Sequence, residues 1–271
     1  WAPDNNKNLI TYSDREGKDS QESHAFSLRS HVKDIGGFDL LSITTYSLNA
    51  MEHSYDGDWG NSELWSQDPY NFDSDYDFFD KTIKNRTTVT EEIRIYRDFS
   101  NQSSVIAGTY VKFLSETDDA SGYLFAGDAS KYDGSFDINN IAGYMQYEQQ
   151  LNPLFRLSLN TRFENNQIKY SGESSYYGSS DTIITFETED ALAGFRSALQ
   201  YKINANTMMY MSISRGYKAG GINQNPYLSE TNRSYQPEYN WNYETGFKTY
   251  NINMQSQLTM FYMYREDQQV N

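Results

Sequence analysis

The segment from residue 208 to residue 223 reads Met208-Met209-Tyr210-Met211-Ser212-Ile213-Ser214-Arg215-Gly216-Tyr217-Lys218-Ala219-Gly220-Gly221-Ile222-Asn223. In its first half, Met209, Met211 and Ile213 alternate with more polar side chains, which is the period of two of a β-strand with one apolar and one polar face. The alternation then ends in a basic, glycine-rich stretch. A strand that becomes polar and flexible at one end is typical of a membrane strand that leaves the bilayer for an outer loop.

The composition indicates a β-protein that is rich in amphipathic aromatic side chains, above all tyrosine. The chain has 271 residues, no cysteine, a formal net charge of -15, and 24 tyrosines within an aromatic fraction of 16%. This mixture is typical of outer-membrane barrels, in which aromatic girdles border an apolar outer band, and it also fits a carbohydrate-binding β-protein. The acidic excess argues against nucleic acid as a partner, because phosphate binding requires a basic surface.

Strand patterns alternate with short turns and longer loops along the chain, and we count about ten strands arranged as hairpins. The tight turns lie near Gly36, Asn101, Asn152, Ala205 and Ile252. In outer-membrane barrels short turns gather on the periplasmic side and long loops lie outside. The sequence therefore predicts an all-β fold, an antiparallel up-and-down transmembrane β-barrel.

Residues 155–163 carry the clearest alternation. Phe155, Leu157 and Leu159 occupy one set of alternate positions, and Arg156 and Arg162 occupy the other. An arginine facing lipid near the membrane midplane costs about 2–4 kcal/mol, so the arginine face must line water or a polar lumen. We therefore expect the apolar face to point outward.

Several segments resemble the barrel of TonB-dependent outer-membrane receptors. The resemblance rests on residues 210–223, 236–238, 242–248 and 260–270, with weaker matches in the same order at 90–94, 142–144 and 152–153. Such receptors hold a plug domain inside a barrel of about 22 strands. They import scarce nutrients such as ferric siderophores, corrinoids or sugars with energy relayed by TonB.

The resemblance also bounds the domain organisation. We expect residues 1–271 to form a single β-barrel segment without a plug domain. Because about ten strands cannot close a circumference of about 22, the segment is expected to be part of a larger barrel. The chain is interpreted as the middle part of a receptor barrel, without the terminal aromatic strand of the family. The long outer loops are predicted at about residues 54–86, 117–135, 171–187 and 220–237.

The function implied by this resemblance is import of a scarce nutrient, a ferric siderophore or a similar molecule, by a non-enzyme without a cofactor. The implied location is the outer membrane of a Gram-negative bacterium. The implied partners are outer-membrane lipid, an extracellular ligand such as a siderophore, and the TonB system acting through the absent plug domain. The alternatives are a secreted, soluble β-protein that binds or hydrolyses glycans, and a surface-adhesion domain.

Aromatic residues in two of the predicted loops are the candidate ligand contacts, because flat rings stack on sugars and on aromatic siderophores. These candidates are Trp59, Trp65, Tyr70, Tyr76, Tyr227 and Tyr235. The alternative is that the rings pack on one another or form a girdle at the membrane rim.

No catalytic or metal site is predicted. His24, His31 and His53 are far apart and lack the spacing of metal ligands. Glu91 and Glu92 are adjacent on a predicted strand and therefore point to opposite faces, which excludes them as a glycosidase pair.

Overall fold

A computed structural model describes residues 2–3, 9–10, 12–72, 76–124, 129–175, 182–225 and 228–270. Within them the chain forms strands of very different length and two short helices. The strands are β1 Ala2–Pro3, β2 Leu9–Ile10, β3 Lys18–Ile35, β4 Phe38–Asp56, β5 Phe79–Asp98, β6 Ser103–Leu124, β7 Ala129–Asn152, β8 Phe155–Ser175, β9 Thr182–Asn204, β10 Thr207–Lys218, β11 Gly221–Ile222, β12 Ser234–Tyr235, β13 Glu238–Tyr250 and β14 Gln255–Glu266. The helices are α1 Ser62–Ser66 and α2 Glu230–Arg233.

Ten of these strands form one sheet in the order β14-β13-β10-β9-β8-β7-β6-β5-β4-β3, so strands that follow one another along the main sheet are also neighbours in space. Each neighbouring pair is antiparallel, which makes the sheet an up-and-down meander. Among the described strands, β3 and β14 form the two edges. The predicted fold class and strand count are confirmed.

Short turns all lie at one end of the sheet, as predicted. Gly36 and Gly37 connect β3 to β4 with φ of 62° and 83°, a conformation that glycine adopts without strain. At other turns an asparagine side chain accepts a backbone hydrogen bond from two residues later: Asn152 from Leu154 at 2.9 Å and Asn204 from Asn206 at 2.9 Å. These asparagines therefore satisfy amides that the strand ladder leaves free.

The strand register separates the side chains into two faces, because residues directly opposite each other share a face. Leu159 lies opposite Tyr147 and Ser197, and Arg162 lies opposite Tyr144 and Gly194. The odd-numbered residues of β8 thus share one face with apolar residues of the neighbouring strands. This face exposes many large side chains, with exposed fractions of 61% for Phe26, 57% for Ile141, 64% for Phe163, 60% for Met211 and 63% for Leu258.

The opposite face is crowded. Among the described side chains of β7 to β9, every buried one lies on the face of Arg162, and so does Ala120 of β6. Those of β7 to β9 are Tyr132, Asn140, Ala142, Asn166, Ile168, Tyr170, Ser174, Ile184, Leu192 and Ala198. Crowding on one side and exposure on the other is the result of curvature, as in a barrel wall. We call the crowded side the concave face and the exposed side the convex face.

Polarity reverses along the length of the strands. On the convex face of β8, apolar residues from Phe155 to Phe163 give way to Asn165, Gln167 and Lys169, while the concave face becomes apolar at Ile168. A tilted strand needs about 9–11 residues to cross a bilayer, whereas β8 has 21 residues. The half of the sheet away from the short turns therefore extends beyond the apolar band.

This extension corrects the predicted loop boundaries. The sequence places loops at 117–135 and 171–187, but β6 continues to Leu124, β7 begins at Ala129, β8 continues to Ser175 and β9 begins at Thr182. Serine, glycine and aspartate in these stretches favour loops locally, yet the backbone ladder continues because neighbouring strands extend equally far. The predicted loop 54–86 begins later and ends earlier than expected, because β4 continues to Asp56 and β5 begins at Phe79, and the region 220–237 contains β11, α2 and β12.

Neither helix in the described part of the chain is long and apolar enough to cross a membrane.

The two faces predict opposite responses to a new positive charge. In the full-length protein in lipid vesicles, Leu159→Arg places a charge on the convex face and should lower the free energy of unfolding by about 2–4 kcal/mol. Ser158→Arg is the matched control, because Ser158 lies on the concave face opposite Glu148 and Ala198. Urea denaturation checks both variants, and equal losses would contradict the assignment of the faces.

Candidate functional site

Two tyrosines reach across the middle of the concave face to ion pairs on other strands. The Tyr144 hydroxyl donates to Glu92 and accepts from Arg94 Nε at 3.1 Å, while Arg94 Nη2 lies 2.7 Å from Glu92 Oε1. Tyr144 belongs to β7 and the ion pair to β5. The ring therefore crosses the whole width of β6.

A second group repeats this arrangement three strands further on. The Tyr217 hydroxyl on β10 donates to Glu164 Oε2 at 2.9 Å and accepts from Arg162 Nε at 3.1 Å. Arg162 Nη2 lies 2.6 Å from Glu164 Oε2, and Asn140 Nδ2 donates to Glu164 Oε1 at 2.5 Å. Arg162 also lies 5.5 Å from the ring centroid of Tyr110.

Glycines on the intervening strands make these crossings possible. A Cβ atom on Gly108 would lie 2.6 Å from the Tyr144 hydroxyl, and one on Gly194 would lie 3.0 Å from Tyr217 Cε1. Such close approach is a recognised reason for glycine inside a strand. We call the two arrangements, Tyr144 over Gly108 and Tyr217 over Gly194, the tyrosine bridges.

A related contact lies between β10 and β13, where the Tyr210 ring covers Gly246 and its hydroxyl donates to Glu244 Oε1 at 2.5 Å. In each case the ring lies along the wall instead of projecting from it. Glu92 and Glu164 are each held by an arginine and a tyrosine, so they are engaged in binding neighbours. The arrangement joins strands laterally and keeps charged and hydroxyl groups on the concave face.

Glu91 lies on the other side of the sheet, as its position next to Glu92 predicts. Its carboxylate accepts from Ser42 Oγ at 2.7 Å and from Thr44 Oγ1 on the neighbouring strand β4. Glu91 and Glu92 therefore have separate partners on opposite faces. The structure agrees with the sequence argument that they do not form a shared catalytic pair.

The loop between β4 and β5 brings three of the candidate aromatic residues together. Trp65 lies at the centre, with ring centroids 4.9 Å from Tyr70, 5.7 Å from Phe72 and 5.6 Å from Tyr76. The rings pack on one another, as the alternative interpretation expects. Trp59 in the same loop is 66% exposed.

Asp58 organises this loop. Its carboxylate accepts from Gly60 N at 2.8 Å, from Trp65 Nε1 at 3.0 Å and from Phe78 N at 2.7 Å. Asp58 therefore has a structural role in this loop. In the described part of the chain, no group of three or more histidine, aspartate or glutamate residues is arranged to hold a metal ion.

The remaining candidates do not join this cluster. Tyr235 lies on β12, opposite Gly221 of β11, and is 45% exposed. Tyr227 lies outside the described residues.

An apolar cluster that the sequence did not predict lies on the concave face beyond the apolar band. The hydroxyls of Tyr132 and Tyr170 are 3.1 Å apart, and Ile184 and Ile222 pack against the same cluster. Burial raises the pKa of both tyrosine hydroxyls, which therefore stay neutral. The sequence signal for this cluster is the alternation of apolar residues within stretches that we interpreted as loops. Ile222 belongs to β11, so the connection after β10 folds onto this cluster.

The tyrosine bridges predict which glycines tolerate a side chain. Gly108→Val in the full-length protein should displace Tyr144 and lower the free energy of unfolding by about 1–3 kcal/mol. Gly143→Val is the matched control on a neighbouring strand, because a Cβ there meets no heavy atom within 4 Å. Urea denaturation in lipid vesicles measures both, and a Gly108→Val protein as stable as Gly143→Val would refute the bridge.

Comparison with known proteins places this geometry in a family. Residues 1–271 match the family described as TonB dependent receptor-like, beta-barrel. The ferric yersiniabactin uptake receptor FyuA of Yersinia pestis is similar with a TM-score of 0.72 and 15% identity over 92% of this chain and 36% of that one. The copper transporter OprC is similar with a TM-score of 0.68 and 10% identity over 92% and 39%.

The closed form of the ferric-catecholate import receptor Fiu of E. coli K12 is similar with a TM-score of 0.62 and 14% identity over 93% of this chain and 41% of that one. At these identities the similarity concerns the fold. This chain spans 36% to 41% of the length of these three receptors and covers their barrel part only. The chain belongs to the TonB-dependent receptors, and its ten-stranded sheet is part of their β-barrel.

Proposed function

We propose that this chain forms part of the wall of an outer-membrane receptor that imports a ferric siderophore or a similar scarce nutrient into a Gram-negative bacterium. The observation that carries the proposal is the two-sided wall, with exposed apolar residues on the convex face and hydrogen-bonded ion pairs on the concave face. Lipid would cover the first face, and the second would border the import path. Energy would come from TonB through a plug domain.

The exposed convex face favours this function over a secreted glycan-binding or glycan-hydrolysing protein. A soluble β-sandwich covers such a face with a second sheet, whereas here Phe26 and Leu258 are 61% and 63% exposed. Glu92 and Glu164 are tied to arginine and tyrosine partners, which suits a binding wall rather than acid–base catalysis. We therefore propose a transport protein that is not an enzyme, and the net charge of -15 argues against nucleic acid as a partner.

The candidate aromatic residues of the loops fall into two groups, those that pack on one another and those that are exposed. Trp65, Tyr70 and Tyr76 use ring surface to pack on one another, so their first role is to hold the loop. Trp59 is 66% exposed and Tyr235 is 45% exposed. We propose that these exposed rings, together with Tyr227, meet the extracellular ligand.

Uptake in a deletion strain tests the proposed function. A strain lacking the full-length receptor should lose growth on one or more ferric siderophores as sole iron source, and the wild-type gene should restore it. Trp59→Ala should weaken uptake of labelled complex while leaving the amount of folded receptor unchanged. Trp65→Ala is the comparison variant and should lower the amount of folded receptor.

Two outcomes would contradict the proposal. One is recovery of the full-length protein in the soluble fraction without detergent. The other is unchanged growth of the deletion strain on every iron complex, metal complex and glycan offered as a sole source.

A further inference from the structure

A cation lies on the convex face at the end of the sheet that carries the short turns. Arg97 of β5 is directly opposite Val105 of β6 and occupies the same set of alternate positions as Ile93 and Ile95. Both isoleucines are exposed on the convex face. The Arg97 side chain is therefore on the side of the wall that lipid would cover.

Three contacts hold its guanidinium group in place. The Arg97 Cζ atom lies 4.9 Å from the ring centroid of Phe38 and 4.8 Å from that of Phe99. A Cβ atom on Gly37 would lie 3.1 Å from the same Cζ atom, so the guanidinium lies against the turn between β3 and β4. In a barrel wall, aromatic rings beside a short turn mark the level of the lipid headgroups. We call Arg97, Phe38 and Phe99 the arginine site.

The charge of Arg97 is not balanced by a carboxylate within the described residues. Its side chain forms neither a salt bridge nor a hydrogen bond there, and its partners are the two rings. The neighbouring carboxylates are engaged on the concave face, where Asp98 pairs with the Tyr96 hydroxyl and Asp39 lies 3.6 Å from His31. A contact with an aromatic ring leaves the positive charge of a guanidinium in place. Arg97 is therefore available to an anion that approaches from the lipid side.

The parts of the receptor beyond this chain do not reach the arginine site. The strands on either side of β5 are β4 and β6, and both belong to this chain. A strand added beside β3 would be three strand spacings from β5, about 14 Å. A plug domain would lie inside the barrel, on the concave side. The access to Arg97 from the convex side therefore does not depend on these parts.

The surroundings of the site define the anion that fits it. In the next row toward the apolar band, Leu40 and Ile95 lie directly opposite each other on the same face. A matching ligand carries its negative charge at the level of the turns and hydrocarbon beside these two residues, which describes a phospholipid. Arginine suits a phosphate because its planar N–H groups can form two parallel hydrogen bonds with phosphate oxygens.

We propose that the arginine site binds the phosphate group of an anionic phospholipid in the periplasmic leaflet, with the acyl chains against Leu40 and Ile95. The inference rests on the proposed function for the membrane location of the wall and for its orientation, in which the short turns face the periplasm. It adds a defined headgroup contact to a face that import requires only to be covered by lipid.

Native mass spectrometry of the purified full-length receptor with dioleoyl phosphatidylglycerol tests the site. The wild-type protein should retain this lipid more strongly than dioleoyl phosphatidylethanolamine, in which an ammonium group offsets the phosphate charge. Arg97→Gln should weaken the tightest phosphatidylglycerol binding about tenfold, which corresponds to about 1.4 kcal/mol. Arg97→Lys should give an intermediate affinity, because lysine keeps the charge and loses the paired N–H groups.

A matched control separates the arginine site from general charge effects. Lys169→Gln also removes a cation from the convex face, but beyond the apolar band, where Lys169 Nζ lies 3.1 Å from Glu187 Oε1. This variant should bind phosphatidylglycerol as the wild type does. Resistance to sodium dodecyl sulfate at room temperature shows that each variant is folded. The headgroup comparison uses the unaltered protein and therefore tests the site even if a variant does not fold.

The outcomes are distinct. Equal retention of the two lipids by the wild type, equal binding by Arg97→Gln, or an equal loss in Lys169→Gln would overturn the proposal. If phosphatidylglycerol binds as expected but the deletion strain grows normally on every source, the import function fails and the lipid site stands. If import is confirmed and the wild type shows no preference for phosphatidylglycerol, the lipid site fails and the import function stands.

Discussion

Hydrogen bonding between neighbouring backbones is the constraint on which this structure depends. In hydrocarbon no water is available to amide and carbonyl groups, so a membrane wall made of strands must satisfy each of them through its neighbours. The meander does this with antiparallel pairs from β3 to β14. Once the ladder is fixed, side chains can only alternate between the two faces. Lipid compatibility and a polar inner surface therefore follow from one register.

The tyrosine bridges show that the same register also determines which side chains meet on the concave face. An ion pair on a barrel wall is exposed and weak when isolated. The rings of Tyr144 and Tyr217 lie across Gly108 and Gly194 and reach the ion pairs on the next strand. Each hydroxyl donates a hydrogen bond to the glutamate of its ion pair. The rings lie flat, so three strands are joined without filling the space inside. Both effects strengthen the lateral attachment of one strand to the next.

Much of the fold was predictable because its signals are local. The alternation of Phe155, Leu157 and Leu159 with Arg156 follows from the period of a strand, and the short turns follow from glycine and asparagine chemistry. The loop boundaries were not predictable in this way, because beyond the apolar band the polarity of the faces reverses. There the apolar residues, such as Tyr132 and Tyr170, pack toward the concave face instead of facing lipid.

The candidate site was predicted less completely. Sequence identified aromatic residues in the loop between β4 and β5, but whether Trp65 faces a ligand or its neighbours depends on Asp58, which holds its indole nitrogen from seven residues away. The bridges escaped notice because Tyr144 and Glu92 are distant in the chain. An isolated glycine inside a strand, such as Gly108 or Gly194, was the one signal that pointed to them.

Spin-label accessibility along residues 155–163 tests the alternation most directly. Single cysteines in the full-length receptor, labelled and placed in lipid vesicles, report collision with oxygen in lipid and with a water-soluble nickel chelate. We predict high oxygen accessibility at Phe155, Leu157, Leu159 and Phe163, and low oxygen accessibility at Arg156, Ser158 and Arg162. A profile without this period of two, or with its maxima at the even positions, would contradict the two-sided wall.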